Sequence, residues 1–285
     1  MQSTRLKQVL AVLLTLGLIA FIYFNGRNNS STLNKGTPMN DGHPGQGAAT
    51  PIGAFDFKLL ESDIKSKLPV GAASYINNIE KRVGVGKPSE KDLLLLADKF
   101  DSLKQPALAG FYYKKLTEQY PGNEKYLAGC GERFFEAVGQ VNDSASMAYF
   151  VDLSIQNYEK AVKMNPGDLD SKAHLAVDYI DGKGDVMKGV GMLREVNQAD
   201  PENKFVLFEL GVLSMRSGQW DKAVERFSKL VQVEPENPDN MRYLGQSYQG
   251  QGNKDKALEA YQKYKQMVQR PQLKAEADAL INSLK

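Results

Sequence analysis

Cysteine, histidine and tryptophan are nearly missing: one Cys, two His and one Trp in 285 residues. A single thiol, Cys130, excludes an intrachain disulfide and leaves the redox compartment open. His43 and His174 stand far apart, with no Cys or second His at metal-ligand spacing near either, so no metal site is expected. A basic excess is missing too. The formal net charge is +2, and beyond residue 50 acidic residues outnumber basic ones 33 to 32. Phosphate neutralisation needs a clear basic surplus, which rules out nucleic acid as a partner. The motifs of catalysis are absent as well. Gly84-Val85-Gly86-Lys87-Pro88 has neither the spacing nor the hydroxyl residue of a phosphate loop, and no nucleophile elbow or His-Glu-x-x-His occurs. The expectation is a protein without cofactor or enzymatic activity.

What the chain does have is an ordinary core-forming composition, 42% apolar and 25% charged, and one long apolar run. Val9 to Phe24 (VLAVLLTLGLIAFIYF) carries no charge and is flanked by Arg5, Lys7 and Arg27. As a helix it spans about 24 Å, short of the roughly 30 Å hydrocarbon layer. Extension back to Leu6 adds the missing turn, because Lys7 can snorkel to the headgroups. Residues 1–24 therefore read as a single transmembrane anchor. A cleaved signal peptide is the rival, but Phe24-Asn25-Gly26 offers a poor cleavage site. The basic residues and the terminal amine before the run favour a cytoplasmic amino terminus. In a bacterium this implies a single-pass protein of the inner membrane with its carboxyl-terminal domain in the periplasm. Residues 25–54, rich in Asn, Gly, Ser, Thr and Pro, have little to bury and read as a flexible linker with an r.m.s. span of about 30 Å.

Helical periodicity begins after the linker. Leu59, Leu60, Ile64 and Leu68 form one apolar stripe and Tyr75, Ile76, Ile79 and Val83 a second, separated by Pro69 and Gly71. Residues 55–89 are expected to be a helical cover over the segment that begins at residue 90, with a lipid- or partner-facing element as the rival reading.

From residue 90 the sequence repeats. Leu207, Leu210-Gly211, Gly218, Ala223, Phe227 and Pro235 are followed 34 residues later by Met241, Leu244-Gly245, Gly252, Ala257 and Tyr261. Upstream copies carry Ala176-Val177, Gly184, Gly189, Leu193, Val196 and Pro201, and Leu93, Leu96-Ala97, Phe100, Ala109, Tyr113, Leu116 and Pro121. Between them Leu127, Cys130-Gly131 and Phe134 open a copy that continues with Tyr158, Ala161 and Pro166.

This pattern resembles the tetratricopeptide repeat. The resemblance covers residues 90–271 in five copies: 90–123, 124–169, 170–203, 204–237 and 238–271. It implies an all-α fold, a right-handed α-solenoid of helical hairpins preceded by the transmembrane helix and linker. Small residues (Gly211 with Ala223, Gly245 with Ala257) let paired helices approach, large ones such as Phe227 and Tyr261 fill the space between hairpins, and the prolines end each second helix. Leu273, Ala277, Leu280, Ile281 and Leu284 make a capping helix over 272–285. Cys130 takes a position where other copies place Leu or Ala, so it reads as packing, not as a reactive thiol.

Two departures stand out. Pro121 and Pro166 are 45 residues apart, against 34 for Pro201 and Pro235, and the excess around 140–149 is expected as a loop insertion. The third copy has Gly182, Gly184, Gly189 and Gly191 around its hairpin, which is expected to loosen that turn.

The resemblance also implies a peptide- or protein-binding groove along the first helices. Asp98, Asp101, Glu132, Asp178 and Asp181 take groove positions in the first three copies, so the family's dicarboxylate clamp for peptide tails is not expected. In the fourth copy these positions hold Phe205, Phe208, Val212 and Met215, beside Arg216, Arg242, Gln246 and Gln249. That helix is apolar on both faces, so the stripe is either covered by neighbours or offered to a partner. The reading is a membrane-anchored scaffold or adaptor for a peptide or protein partner, with envelope assembly or translocation as the expected setting, in the manner of bacterial single-pass proteins of similar layout. The alternative is a homo-oligomer that associates through the apolar face of the fourth copy.

Overall fold

The computed structural model describes residues 55–84 and 86–285. The expected anchor at 1–24 and linker at 25–54 lie outside the described residues. Among the described residues all regular structure is helical, and no helix is long and apolar enough to cross a membrane.

Thirteen helices follow one another along the described residues. Helices α1 (Phe57–Ser66) and α2 (Val70–Val83) precede five hairpins: α3 (Glu90–Ser102) with α4 (Pro106–Gln119), α5 (Glu124–Val138) with α6 (Ser144–Met164), α7 (Leu169–Val177, continued by a π-helical turn Asp178–Gly182) with α8 (Val186–Ala199), α9 (Lys204–Arg216) with α10 (Trp220–Val233), and α11 (Pro238–Gly250) with α12 (Lys254–Met267). Helix α13 (Pro271–Asn282) closes the array. From α2 onward each helix packs on the next, and first helices also meet first helices, α5 with α7 and α7 with α9. This is the packing of a solenoid, in which each hairpin touches only its neighbours.

Local chemistry sets the boundaries. Asn203 and Asn253 accept hydrogen bonds from the Val206 and Lys256 amides at 3.0 and 3.2 Å, and Ser89, Asp143, Asp168 and Asp185 cap four other helices in the same way. Second helices end before proline. Tyr120, Asn165, Asp200 and Glu234 each precede a proline that bars the helical conformation, and each has φ between −137° and −130°. Each still donates its amide to the carbonyl four residues back, at 2.8 Å.

The turn inside four of the five hairpins reaches a left-handed residue at the fifteenth repeat position. Gly184, Gly218 and Gly252 have φ of 71°, 69° and 84°, and the first copy uses Lys104 at φ 57°. Only glycine adopts this conformation without a Cβ penalty, which makes Lys104 the strained member of the set.

Packing within a hairpin follows the small–large rule. Ala223 and Ala257 are fully buried, and the rings of Phe227 and Tyr261 lie directly over Gly211 and Gly245. A Cβ on Gly211 would stand 2.7 Å from Phe227, and one on Gly245 2.5 Å from Tyr261. Phe227 also stacks on Tyr243 of the next hairpin at 5.2 Å, so one ring joins two copies. Cys130 is buried with its Sγ 3.6 Å from the Gly110 carbonyl, and burial pushes the thiol up to about 12.

Both departures resolve differently from expectation. The extra residues of the second copy are largely helix: α6 runs 21 residues where the other second helices run 14. Asp143 caps this extension by accepting from the amide of Ser146, which is buried, so a helix start offsets what would have been loop entropy. The glycines of the third copy allow close approach. A Cβ on Gly189 would lie 2.3 Å from the Ala176 carbonyl, and one on Gly182 2.5 Å from Val151. They tighten α8 onto α7 and the π turn onto α6.

The cover is less simple than one hairpin. Helix α2 buries Ile76 and Ile79 against α3 and α4, and Tyr112 donates to Glu80 at 2.5 Å. Helix α1 runs outward along second helices: Phe57 meets Phe111 of α4, and Phe55 just before it stacks on Tyr149 of α6 at 4.4 Å. At the other end α13 buries Ala277 against Tyr264 and Val268.

Candidate functional site

The eight groove residues all lie on α9 and α11, but the structure divides them. Phe205 turns toward the third copy, 4.5 Å from the His174 ring, and His174 is 4.9 Å from Phe135. Three first helices, α5, α7 and α9, thus contribute one aromatic row. Burial lowers the His174 pKa, so the imidazole is neutral near pH 7. Phe208 turns the other way, 5.0 Å from Tyr243 and 6.1 Å from Phe227. Val212 and Met215 pack with it on the same cluster. All four apolar side chains are half-buried. Neighbouring helices take part of the stripe and leave the rest open.

The polar members are mostly engaged. Arg216 donates to Asp181 at 3.0 Å, linking α9 to α7. Arg242 donates to Asp239 at 3.0 Å, approaches Glu276 of α13 at 3.8 Å and lies 4.4 Å over the Tyr243 ring. Gln249 accepts from Tyr261 at 2.7 Å and donates to Ser283 at 3.3 Å, so it ties the cap to the last hairpin. Gln246 is half-buried on the same helix. On this face Arg242 adjoins the Phe208 cluster through Tyr243 and Gln246 lies one turn further along α11, whereas Gln249 sits at the cap and Arg216 at the third copy.

The acidic side chains of the first three copies are partly neutralised. Asp101 and Glu132 both pair with Arg133, the former at 2.9 Å. Asp178 is buried to 4% exposure and does not line the open face. Glu209, the polar interruption of α9, is held up to about 7 by burial, with Asp181 adding to the rise and Arg216 opposing it.

Phe135 and His174 escaped the sequence reading of this face. They hold the twelfth and fifth positions of their copies, the same groove register as Phe205, and superposing the copies would have found them. Among the described residues no group of three or more His, Cys, Asp or Glu side chains is placed to hold a metal ion.

No curated protein matches the chain in sequence. Solved structures match its fold. A crystal structure of MamA protein is 18% identical, with 61% of this chain and 89% of that one aligned at TM-score 0.50. MamA 41-end from Desulfovibrio magneticus RS-1 is 17% identical over 62% and 93%, at TM-score 0.51. A thermophilic TPR protein of Thermus thermophilus is 18% identical over 68% and 100%, at TM-score 0.51. At such identities the likeness is one of fold alone. Within the chain itself, residues 214–278 match the tetratricopeptide repeat family.

Proposed function

We propose that the chain is a protein-interaction scaffold that holds a peptide or protein partner against the first-helix face of its last two repeats. One observation carries the reading: Phe205, Phe208, Val212 and Met215 stand half-open along one helix, α9. Arg242 and Gln246 beside them supply a polar rim. Hydrophobic contact would give affinity and the rim would set register.

In this reading residues 9–24 anchor the protein in a bacterial inner membrane and the solenoid works in the periplasm, tethered by residues 25–54. A reporter fused to the carboxyl end tests that orientation. The binding reading is tested at Val212 and Gln246, which make none of the ring contacts by which Phe205 and Phe208 join neighbouring hairpins. Val212→Glu with Gln246→Glu should abolish co-purification of the partner while the helical circular dichroism signal is unchanged. Retention of the partner would overturn the site. A second reading, self-association through the same stripe, is separated by sedimentation of the full chain, in which a dimer lost on Val212→Glu would replace the scaffold.

A further inference from the structure

A cavity of about 660 Å³ lies between α5, α6 and α7, at the hairpin-turn edge of the second and third copies. Its walls are Phe135, Val138, Met147, Val151 and Val177. The helical insertion of the second copy builds one side of it, since Met147 and Val151 belong to the first turns of α6. The π-helical turn builds another and brings Asp178 to the lining. Such turns interrupt a regular helix at a cost and are frequent where a side chain must be re-aimed.

Asp178 is the unexplained group. It is 96% buried by its 4% exposure, and its Oδ2 has no hydrogen-bond partner. The nearby Ser154 hydroxyl lowers the carboxyl's pKa slightly by hydrogen bonding and also reaches the Gly131 carbonyl at 3.0 Å. Lys183, the closest cation, pairs with Asp152. Asp181 and Glu136 also line the cavity; Asp181 pairs with Arg216, and Glu136 makes no ion pair among the described residues. An apolar cavity with a buried carboxylate oxygen that lacks a partner and an acidic rim is matched by an apolar ligand that brings a cationic donor. Its volume falls within the usual 300–1,000 Å³ for ligand pockets and exceeds one lysine side chain.

We propose that this cavity docks a partner peptide whose lysine, set between apolar residues, reaches Asp178 with its ammonium while the flanking side chains fill the apolar walls. This is a second contact site, which borders the α9 face through Phe135 and through Asp181, the partner of Arg216. Burial holds the empty carboxyl up to about 7, so its proton is readily displaced by an arriving ammonium near neutrality.

Met147 provides the readout, being the methionine that lines the wall, 38% exposed. The full chain is labelled at its methionine methyl groups and titrated with the acetylated, amidated tripeptide Phe-Lys-Phe. The Met147 resonance, assigned through Met147→Leu, should shift and saturate. The norleucine analogue, equal in shape and lacking the charge, should bind at least about tenfold more weakly. In Asp178→Asn the two peptides should bind alike. Equal binding of the two peptides to the unmodified chain, or a Met147 resonance that neither moves, would overturn the proposal without recourse to any variant. n-Butylamine saturating the site at the same concentration as the lysine peptide would overturn the peptide as occupant. Loss of α9-face binding alone would leave these titrations unchanged.

Discussion

Asp178→Asn should stabilise the solenoid, and more so as pH rises. Asp178 is 4% exposed and its Oδ2 has no partner, so the charged form is penalised by lost hydration. Burial lifts its carboxyl from 3.8 to about 7, against small lowering contributions from Ser154 and Lys183. A folded-state pKa above the unfolded value means that the native state holds a proton the unfolded state has released. Stability from this group is full below about pH 4, falls as pH rises, and is lost once pH passes about 7. At about 1.36 kcal/mol per pH unit, the ionised carboxylate costs on the order of 4 kcal/mol above pH 7. Water entering the cavity would reduce this, so the expected gain for asparagine is about 2–4 kcal/mol near pH 8 and under about 1 kcal/mol near pH 4. Urea unfolding of the full chain and the variant, followed by circular dichroism at both pH values, measures the difference. Glu209 is raised in the same sense and remains in both proteins, so each keeps some slope while their separation reports Asp178. A variant no more stable near pH 8 than near pH 4, relative to the unmodified chain, would refute the assignment of a buried, unpartnered carboxyl.

Other expectations concern the repeat itself. Lys104→Gly relieves the left-handed residue of the first hairpin turn and should raise stability by about 1 kcal/mol, seen as a higher thermal midpoint. Gly211→Ala places a methyl 2.7 Å from Phe227 and should cost about 1–3 kcal/mol in a denaturant melt. Phe227→Ala empties a fully buried site shared by two hairpins and should cost about 3–5 kcal/mol, with the fourth and fifth copies losing hydrogen-exchange protection first. Cys130, buried with its thiol raised to about 12, should resist alkylation in the native chain and react promptly in denaturant.

The hairpins were legible because their signals are local. The 34-residue step returns the same small and large residues, and the prolines end second helices within a residue or two of where they stand. The turn glycines were visible as a period, though Lys104 in the same place was not, because residue type alone does not reveal φ. What escaped depends on contacts between copies. Residues 140–149 read as loop because Pro121 and Pro166 stand 45 residues apart where a repeat needs 34, yet Asp143 serves as a helix cap and apolar residues behind it find a wall. The glycines of the third copy read as looseness, whereas each of two faces a neighbour that leaves no room for a Cβ. The eight groove residues fall on the expected helices, but only superposition of copies tells that Phe205 joins His174 and Phe135 while Gln249 is taken up by Tyr261 and Ser283. The long apolar run at 9–24 lies outside the described residues, and its role as an anchor rests on the sequence.

The central claim is that the first-helix face of the last two repeats holds another polypeptide. A photocrosslinking amino acid placed at Val212 or Gln246 of the full chain, expressed in intact cells, tests this most directly. Glu225, exposed on the second helix α10, serves as the comparison position. The expected result is a discrete adduct with a different polypeptide from Val212 and Gln246 and none from Glu225. Equal adducts from both faces, no adduct at either groove position, or adducts only between copies of the chain would contradict the claim.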